Sequence, residues 1–213
     1  MKGSTKIVIG ALVMALEGCA GKVAYLPPDQ PAAITNSIVL DQPRAEVWNN
    51  MVPALGRSFF VINNLEKESG FINLSYSGDP EKYVDCGVID SYVKNARGER
   101  TYRFPAAAAH KTYETFENGT AWQGVDRTMT LDGRLNVVLE EMETSKTKLT
   151  VTAKYVLTKK VAITTVDARI HHQQDSISFS TNGKAVFESD TICRPTGALE
   201  KEVFNTISQS PSL

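Results

Sequence analysis

The chain has 213 residues, 42% hydrophobic and 22% charged, enough to bury one substantial core or two small ones. This composition excludes a disordered chain and a collagen-like repeat. Lys and Arg number 23 against 24 Asp and Glu, a net charge of -1, so no global field draws the protein to nucleic acid or to an anionic membrane surface.

At the N-terminus Lys2 and Lys6 precede the apolar run Ile7 to Leu16. Positive charge followed by a short hydrophobic segment is the layout of a secretory signal, and the run falls short of the ~20 residues that a spanning helix needs. The next residues, Leu16-Glu17-Gly18-Cys19-Ala20, resemble the lipobox of bacterial lipoproteins, with Glu17 departing from the usual small or uncharged residue. The resemblance implies that residues 1–18 are a cleaved signal peptide and that Cys19 is acylated. Each buried acyl methylene contributes about 0.8 kcal/mol, so several chains make a firm anchor. Ala20, in place of Asp, implies by the same resemblance an outer-membrane location with a periplasmic body. Residues 19–34, which include Pro27, Pro28 and Pro31, then read as the lipidated cysteine and a Pro-rich tether.

A folded body is expected over residues 35–208, with a tail at 209–213. Ser37 to Leu40 is β-prone, and Asp41-Gln42-Pro43 has the form of a helix start. Val47, Trp48, Met51, Val52 and Leu55 recur at three- and four-residue spacing, which predicts a helix from Arg44 to Gly56 that Pro53 would kink or shorten. Phe59 to Ile62 reads as a buried strand, and the alternation Ile72, Leu74, Tyr76 as a half-buried one. From Ser91 to Gln123 no periodicity emerges, and a long irregular excursion with a turn of helix is expected.

The signal then strengthens. Met129, Leu131, Gly133, Leu135, Val137 and Leu139 occupy alternate places, as do Leu149, Val151, Ala153, Tyr155 and Leu157 after the polar turn at Thr144-Ser145-Lys146. Period two over this length predicts a long antiparallel hairpin with one dry face. Asn182-Gly183 predicts a second hairpin between Ile177/Phe179 and Val186/Phe187. Leu199, Val203, Phe204 and Ile207 form the apolar stripe of a closing helix from Ala198 to Ile207. The simplest assembly of these elements is α+β, a single antiparallel sheet with long hairpins covered on one face by two helices.

Besides Cys19 the chain has Cys86 and Cys193. In an exported protein these are expected to form a disulfide, closing a loop of roughly 100 residues and stabilising the fold by about 4–5 kcal/mol in the chain-entropy account. Two buried free thiols are the alternative. A nucleophile beside His110, His171 or His172 lacks every local cysteine-protease signature.

The lipobox-like residues, the Val47-Trp48 helix running into Phe59-Phe60-Val61-Ile62, and the closing Cys193-Arg194-Pro195-Thr196-Gly197-Ala198-Leu199-Glu200 together resemble proteobacterial outer-membrane lipoproteins. The domain type is similar to helix-grip-like lipoproteins such as the C component of the β-barrel assembly machine. This resemblance implies location and architecture, and partner binding in the envelope.

The usual chemical motifs are missing: no Gly-x-Ser-x-Gly elbow, His-Glu-x-x-His, phosphate loop or dinucleotide fingerprint occurs. His171 and His172 would point to opposite faces of a strand, which argues against joint metal ligation. Glu140, Glu141 and Glu143 fall at a hairpin end, where a solvated turn is expected and not an acid/base pair. Lys159-Lys160 and Arg97/Arg100/Arg103, near Tyr92, Tyr102 and Phe104, are the basic clusters. They suit a glycan or protein partner better than nucleic acid. No catalytic residue, metal or cofactor is therefore assigned. The expected function is a non-catalytic accessory or scaffold in an envelope assembly or secretion complex. The alternative is a small-ligand or glycan binder using the concave side of the sheet under the first helix. An open pocket with convergent polar groups would favour that alternative.

Overall fold

In the computed structural model the described residues are 20–30, 33–118, 121–143, 145–188 and 190–208. The signal segment 1–18, the lipidation candidate Cys19 and the tail 209–213 lie outside them. The chain forms strands β1 (Ala20–Leu26) and β2 (Ser37–Leu40), then helix α1 (Arg44–Gly56). Strands β3 (Val61–Glu66), β4 (Phe71–Gly78), β5 (Val84–Asp85), β6 (Val88–Asn95), β7 (Gly98–Pro105) and β8 (His110–Glu117) follow. The long strands β9 (Ala121–Glu143) and β10 (Lys146–Thr165) come next. After them are β11 (Ile170–Ser180), β12 (Ala185–Val186), β13 (Ile192–Pro195) and helix α2 (Ala198–Ser208).

With 61% of the described residues in strands and 13% in helices, the fold is mostly β, and the expectation of an α+β, helix-grip-like single sheet under two helices is overturned. Three sheets are present: a seven-stranded one along β11-β10-β9-β4-β3 with β2 and β8 joining its long strands, a second of order β1-β6-β7, and a third of order β12-β13-β5. The extra strands escape the alternation rule because their apolar positions are few and interrupted by polar ones. β7 reads Gly-Glu-Arg-Thr-Tyr-Arg-Phe-Pro, with Tyr102 and Phe104 its only large apolar positions, and β11 begins Ile-His-His-Gln-Gln and alternates only at Ile177 and Phe179, so neither shows a dry face along its length. The expected irregular excursion over 91–123 is therefore made of β6, β7 and β8.

β9 and β10 are the spine, paired from Thr147↔Glu141 to Thr165↔Gln123. At about 3.3 Å per residue this ladder runs some 60 Å. Each long strand takes a different outer neighbour in each half: β9 pairs with β4 from Leu131 to Val138 and with β8 from Ala121 to Thr128, while β10 pairs with β2 and then β11. Odd-numbered residues of both strands share one face. In the half near the 143–146 turn that face is the core, where Leu131, Leu135, Val137, Leu149, Val151 and Leu157 are buried beside Ile72 and Leu74 of β4. Both helices close over it. Met51 and Leu55 of α1 and Leu199 and Val203 of α2 are fully buried there, and Gly133 leaves room for Leu199, whose Cδ2 would lie 3.0 Å from an added Cβ.

Residues 20–26, expected as part of a tether, instead pair antiparallel with β6 from Ala20↔Lys94 to Leu26↔Val88. The strand stops where Pro27 removes the donor a ladder needs. Beyond it Pro28 is buried and Ile34 lies against Gly197. The Asn182-Gly183 turn exists, with Gly183 N donating to Ser180 O at 2.8 Å, but the hairpin expected around it does not form. β11 pairs with β10, and β12 pairs with β13.

Cys86 and Cys193 form the disulfide, with Cα atoms 4.1 Å apart and both residues fully buried. It fastens the segment after β5 to β13, whose Arg194 and Pro195 pair with Asp85 and Val84. Through Thr196 and Gly197 the same anchor sets the start of α2.

Candidate functional site

The space under α1 is filled by the core, so the concavity expected there is closed. A cavity opens instead in the other half of the hairpin, between the dry face of β9-β10 and the β1-β6 edge of the second sheet, with a volume of about 300 Å³. That places it at the small end of the ~300–1,000 Å³ range of ligand pockets. Its walls are Ile89 of β6, Val125 of β9 and Val161 and Ile163 of β10, with Val23 of β1 half-exposed beside them. Tyr113 and Thr115 of β8 and Gln123 of β9 add polar atoms, as do Gln173 of β11 and Thr191. The Tyr25 hydroxyl, also in the wall, is held by the Ile192 backbone, accepting from its N–H at 2.9 Å and donating to its carbonyl at 3.2 Å.

Two cations project into this space. Arg127 is 3% exposed, and its Nη2 donates to the Ala106 carbonyl. Its Nη1 has no hydrogen-bond partner among the described residues. Burial lowers the Arg127 pKa, with Tyr113 acting in the opposite direction. Lys159, two residues along the same face in register with Met129, sits over the Phe187 ring at 4.4 Å. Burial and then the Arg127 charge lower its pKa, while Asp175 and Glu188 raise it. Burial raises the Tyr113 hydroxyl. Among the described residues no Asp or Glu lines the cavity.

Arg127 continues the alternation of Leu131 and Met129 to the next odd position, followed by Val125. A charged residue there is the signal that reading the dry face only as far as Met129 misses. The arrangement can hold an anion against apolar walls. It offers no carboxylate or imidazole in its lining to move a proton at neutral pH.

The sequence-expected site residues lie elsewhere. His171 and His172 are exposed on β11 opposite Ile163 and Ala162. His172 borders a shallow groove on the other face with Asp126 and Lys160, and Asp126 Oδ1 lies 2.8 Å from His110 Nε2. Among the described residues no group of three or more His, Cys, Asp or Glu is placed to hold a metal ion. Glu140 pairs with Lys148 at 3.3 Å, Glu141 is exposed, and the side chain of Glu143 lies outside the described residues. The arginine cluster is dispersed into ion pairs: Arg100 with Glu114 and Arg103 with Asp90 at 2.6 Å, leaving Arg97 at the β6–β7 turn. Lys159 enters the cavity while its neighbour Lys160 points to the opposite groove.

Among the described residues no helix is long and apolar enough to cross a membrane. Compared with protein-family models, curated proteins and solved structures, the chain has no significant match.

Proposed function

We propose that this chain is a lipid-anchored envelope protein whose β domain binds a small amphipathic anion, a molecule with an acidic head and an apolar body. The observation that carries the reading is Arg127, a lining residue of a cavity with no acid among its described lining residues, whose Nη1 is buried without a partner among the described residues. Leaving a buried donor unsatisfied costs about 1–3 kcal/mol, and an uncompensated buried charge more. A bound carboxylate, sulfonate or phosphate would supply both the acceptor and the counter-charge. Lys159 adds a second positive charge, and Val125, Val161, Ile163 and Ile89 suit an aliphatic or aromatic body. The anchor is supported by Lys2, Lys6, the apolar run and Cys19 in their lipoprotein-like order. Of the two functions expected from the sequence, ligand binding has this cavity in its support.

Isothermal titration of the purified protein with sodium decanoate tests the reading, with decyltrimethylammonium as the cationic control. Saturable binding of the anion alone is expected. Arg127→Met should weaken it at least tenfold, about 1.4 kcal/mol. Equal binding of both amphiphiles, or unchanged affinity in Arg127→Met, would reject the anion site.

A further inference from the structure

The end of the molecule where β1 begins carries apolar side chains that the fold does not need. Register sets Ala20 opposite Lys94, next to the β6–β7 turn. Gly21 lies against Phe116, whose Cβ would sit 2.8 Å from an added Cβ, and the cross-strand partner of Phe116 is Trp122. Trp122 in turn shares a surface hollow with Asn95 and Arg97 of the β6–β7 turn and with Val166 of the β10–β11 turn. Val166 is 73% exposed and Ile170, at the other side of that turn, 57%. Between them Asp167 and Arg169 neutralise each other in an ion pair at 2.5 Å. Tight turns favour Gly, Asn, Asp and Ser, so two exposed aliphatic residues here call for a reason outside the fold.

We infer that this end docks on a lipid bilayer, with Val166, Ile170 and Trp122 entering the boundary between headgroups and acyl chains. The inference rests on the acylation of Cys19 proposed above. Cys19 is bonded to Ala20, the first residue of β1, so the acyl chains leave the domain at this same end and no spacer separates anchor from sheet. The bilayer is then the surface nearest to these side chains. Trp is enriched at membrane–water interfaces, its amphipathic ring at headgroup level, and Trp122 shares one hollow with the cation Arg97 here.

The test uses the full acylated chain in vesicles of phosphatidylethanolamine and phosphatidylglycerol that also contain phosphatidylcholine with brominated acyl chains. The sequence has 2 Trp residues, so Trp48→Phe leaves Trp122 as the sole emitter. The protein should float with the vesicles, and bromine should quench Trp122 emission relative to vesicles without it, as an indole at headgroup level requires. Val166→Asp with Ile170→Asp should restore the emission while flotation persists. Flotation without quenching, or quenching that survives the double substitution, overturns the docking and leaves the anchor standing. Failure to float overturns both. If quenching is absent and the double substitution instead lowers the oligomeric mass, the end belongs to a contact with a second copy, and the bilayer docking is wrong. Should Trp48→Phe not fold, wild type serves, because Trp48 is on the buried face of α1 and only Trp122 can meet lipid.

Discussion

Glu200 and Arg127 are both buried, and each keeps one polar atom without a partner among the described residues, Oε1 and Nη1, yet their surroundings differ. Glu200 sits in the closed core, where its Oε2 accepts from the Tyr155 hydroxyl at 2.8 Å and ties α2 to β10. Burial, helped by the Glu200 carboxylate, pushes the Tyr155 pKa up, so the hydroxyl stays a donor. Tyr155→Phe takes away that donor and should lower stability by about 1–3 kcal/mol, seen as an earlier denaturant midpoint at unchanged slope. A midpoint that does not move would mean the carboxyl does not need Tyr155. Arg127 faces a cavity with no acid, so Arg127→Met should act with the opposite sign. Ligand-free stability should stay level or rise, by up to about 1–4 kcal/mol, while anion affinity falls. A large loss of stability in Arg127→Met would instead assign the guanidinium to holding Ala106. Lys159 adds a pH signature. Its cation attracts the ligand only while protonated, so affinity should be flat at lower pH and decline as pH rises through the Lys159 pKa. Burial and Arg127 set that pKa below the ordinary 10.5, so the decline should begin below that value and should vanish in Lys159→Met.

Between elements, the disulfide and one glycine do work that hydrogen bonding of short strands cannot. β5 and β12 have two residues each, too few to hold a sheet, and the Cys86–Cys193 bridge fastens the segment after β5 to β13, the strand between them, across a sequence separation of 107. Its loss in Cys86→Ala/Cys193→Ala should cost about 4–5 kcal/mol in the chain-entropy account, measurable by denaturation against the oxidised wild type. Less than about 1 kcal/mol would show that the third sheet holds without it. Gly87, beside that bridge, has φ +77, and an added Cβ would run into the Leu26 carbonyl at the end of β1. Gly87→Ala should therefore loosen β1 from β6 and raise amide exchange in Val23 to Leu26 before any change in the helices. Elements with one dry face were legible in the sequence: α1 from Val47, Trp48, Met51 and Leu55, the inner half of β9-β10, and α2. Those without one were not. β7 has only Tyr102 and Phe104 as apolar alternate positions and β11 only Ile177 and Phe179 after a polar first half, and β1 was masked by the prolines that follow it, so their pairing depends on long-range register that local composition does not encode. The disulfide was legible from compartment and parity. The cavity was not, because it needs β1 and β6 brought against β9 and β10, and only the odd position of Arg127 hinted at it.

At the scale of the whole molecule, the β9-β10 ladder joins a closed half to an open one. The half under α1 and α2 is packed with aliphatic residues, whereas the other half trades part of its packing for a cavity of about 300 Å³ lined by the buried Arg127 and the half-buried Lys159. A cavity and a buried guanidinium with an unsatisfied donor both cost stability, so the open half could not persist alone on its few apolar contacts. It is held because the same two strands run without a break from Leu139↔Leu149 in the core to Val125↔Ile163 at the cavity. The ladder's backbone hydrogen bonds thus carry order from the dense half to the sparse one. Native-state hydrogen exchange should show this as a gradient along single strands. Amides of Leu131 to Leu139 should open only with global unfolding, those of Gln123 to Arg127 at a lower free energy, and saturating decanoate should raise the second group selectively. If both groups exchange together with and without the anion, the molecule is one cooperative unit and its cavity is not a locally stabilised site. If the second group exchanges at the rate of unfolded peptide without ligand, the ladder does not transmit order, and the open half must be formed by the ligand itself.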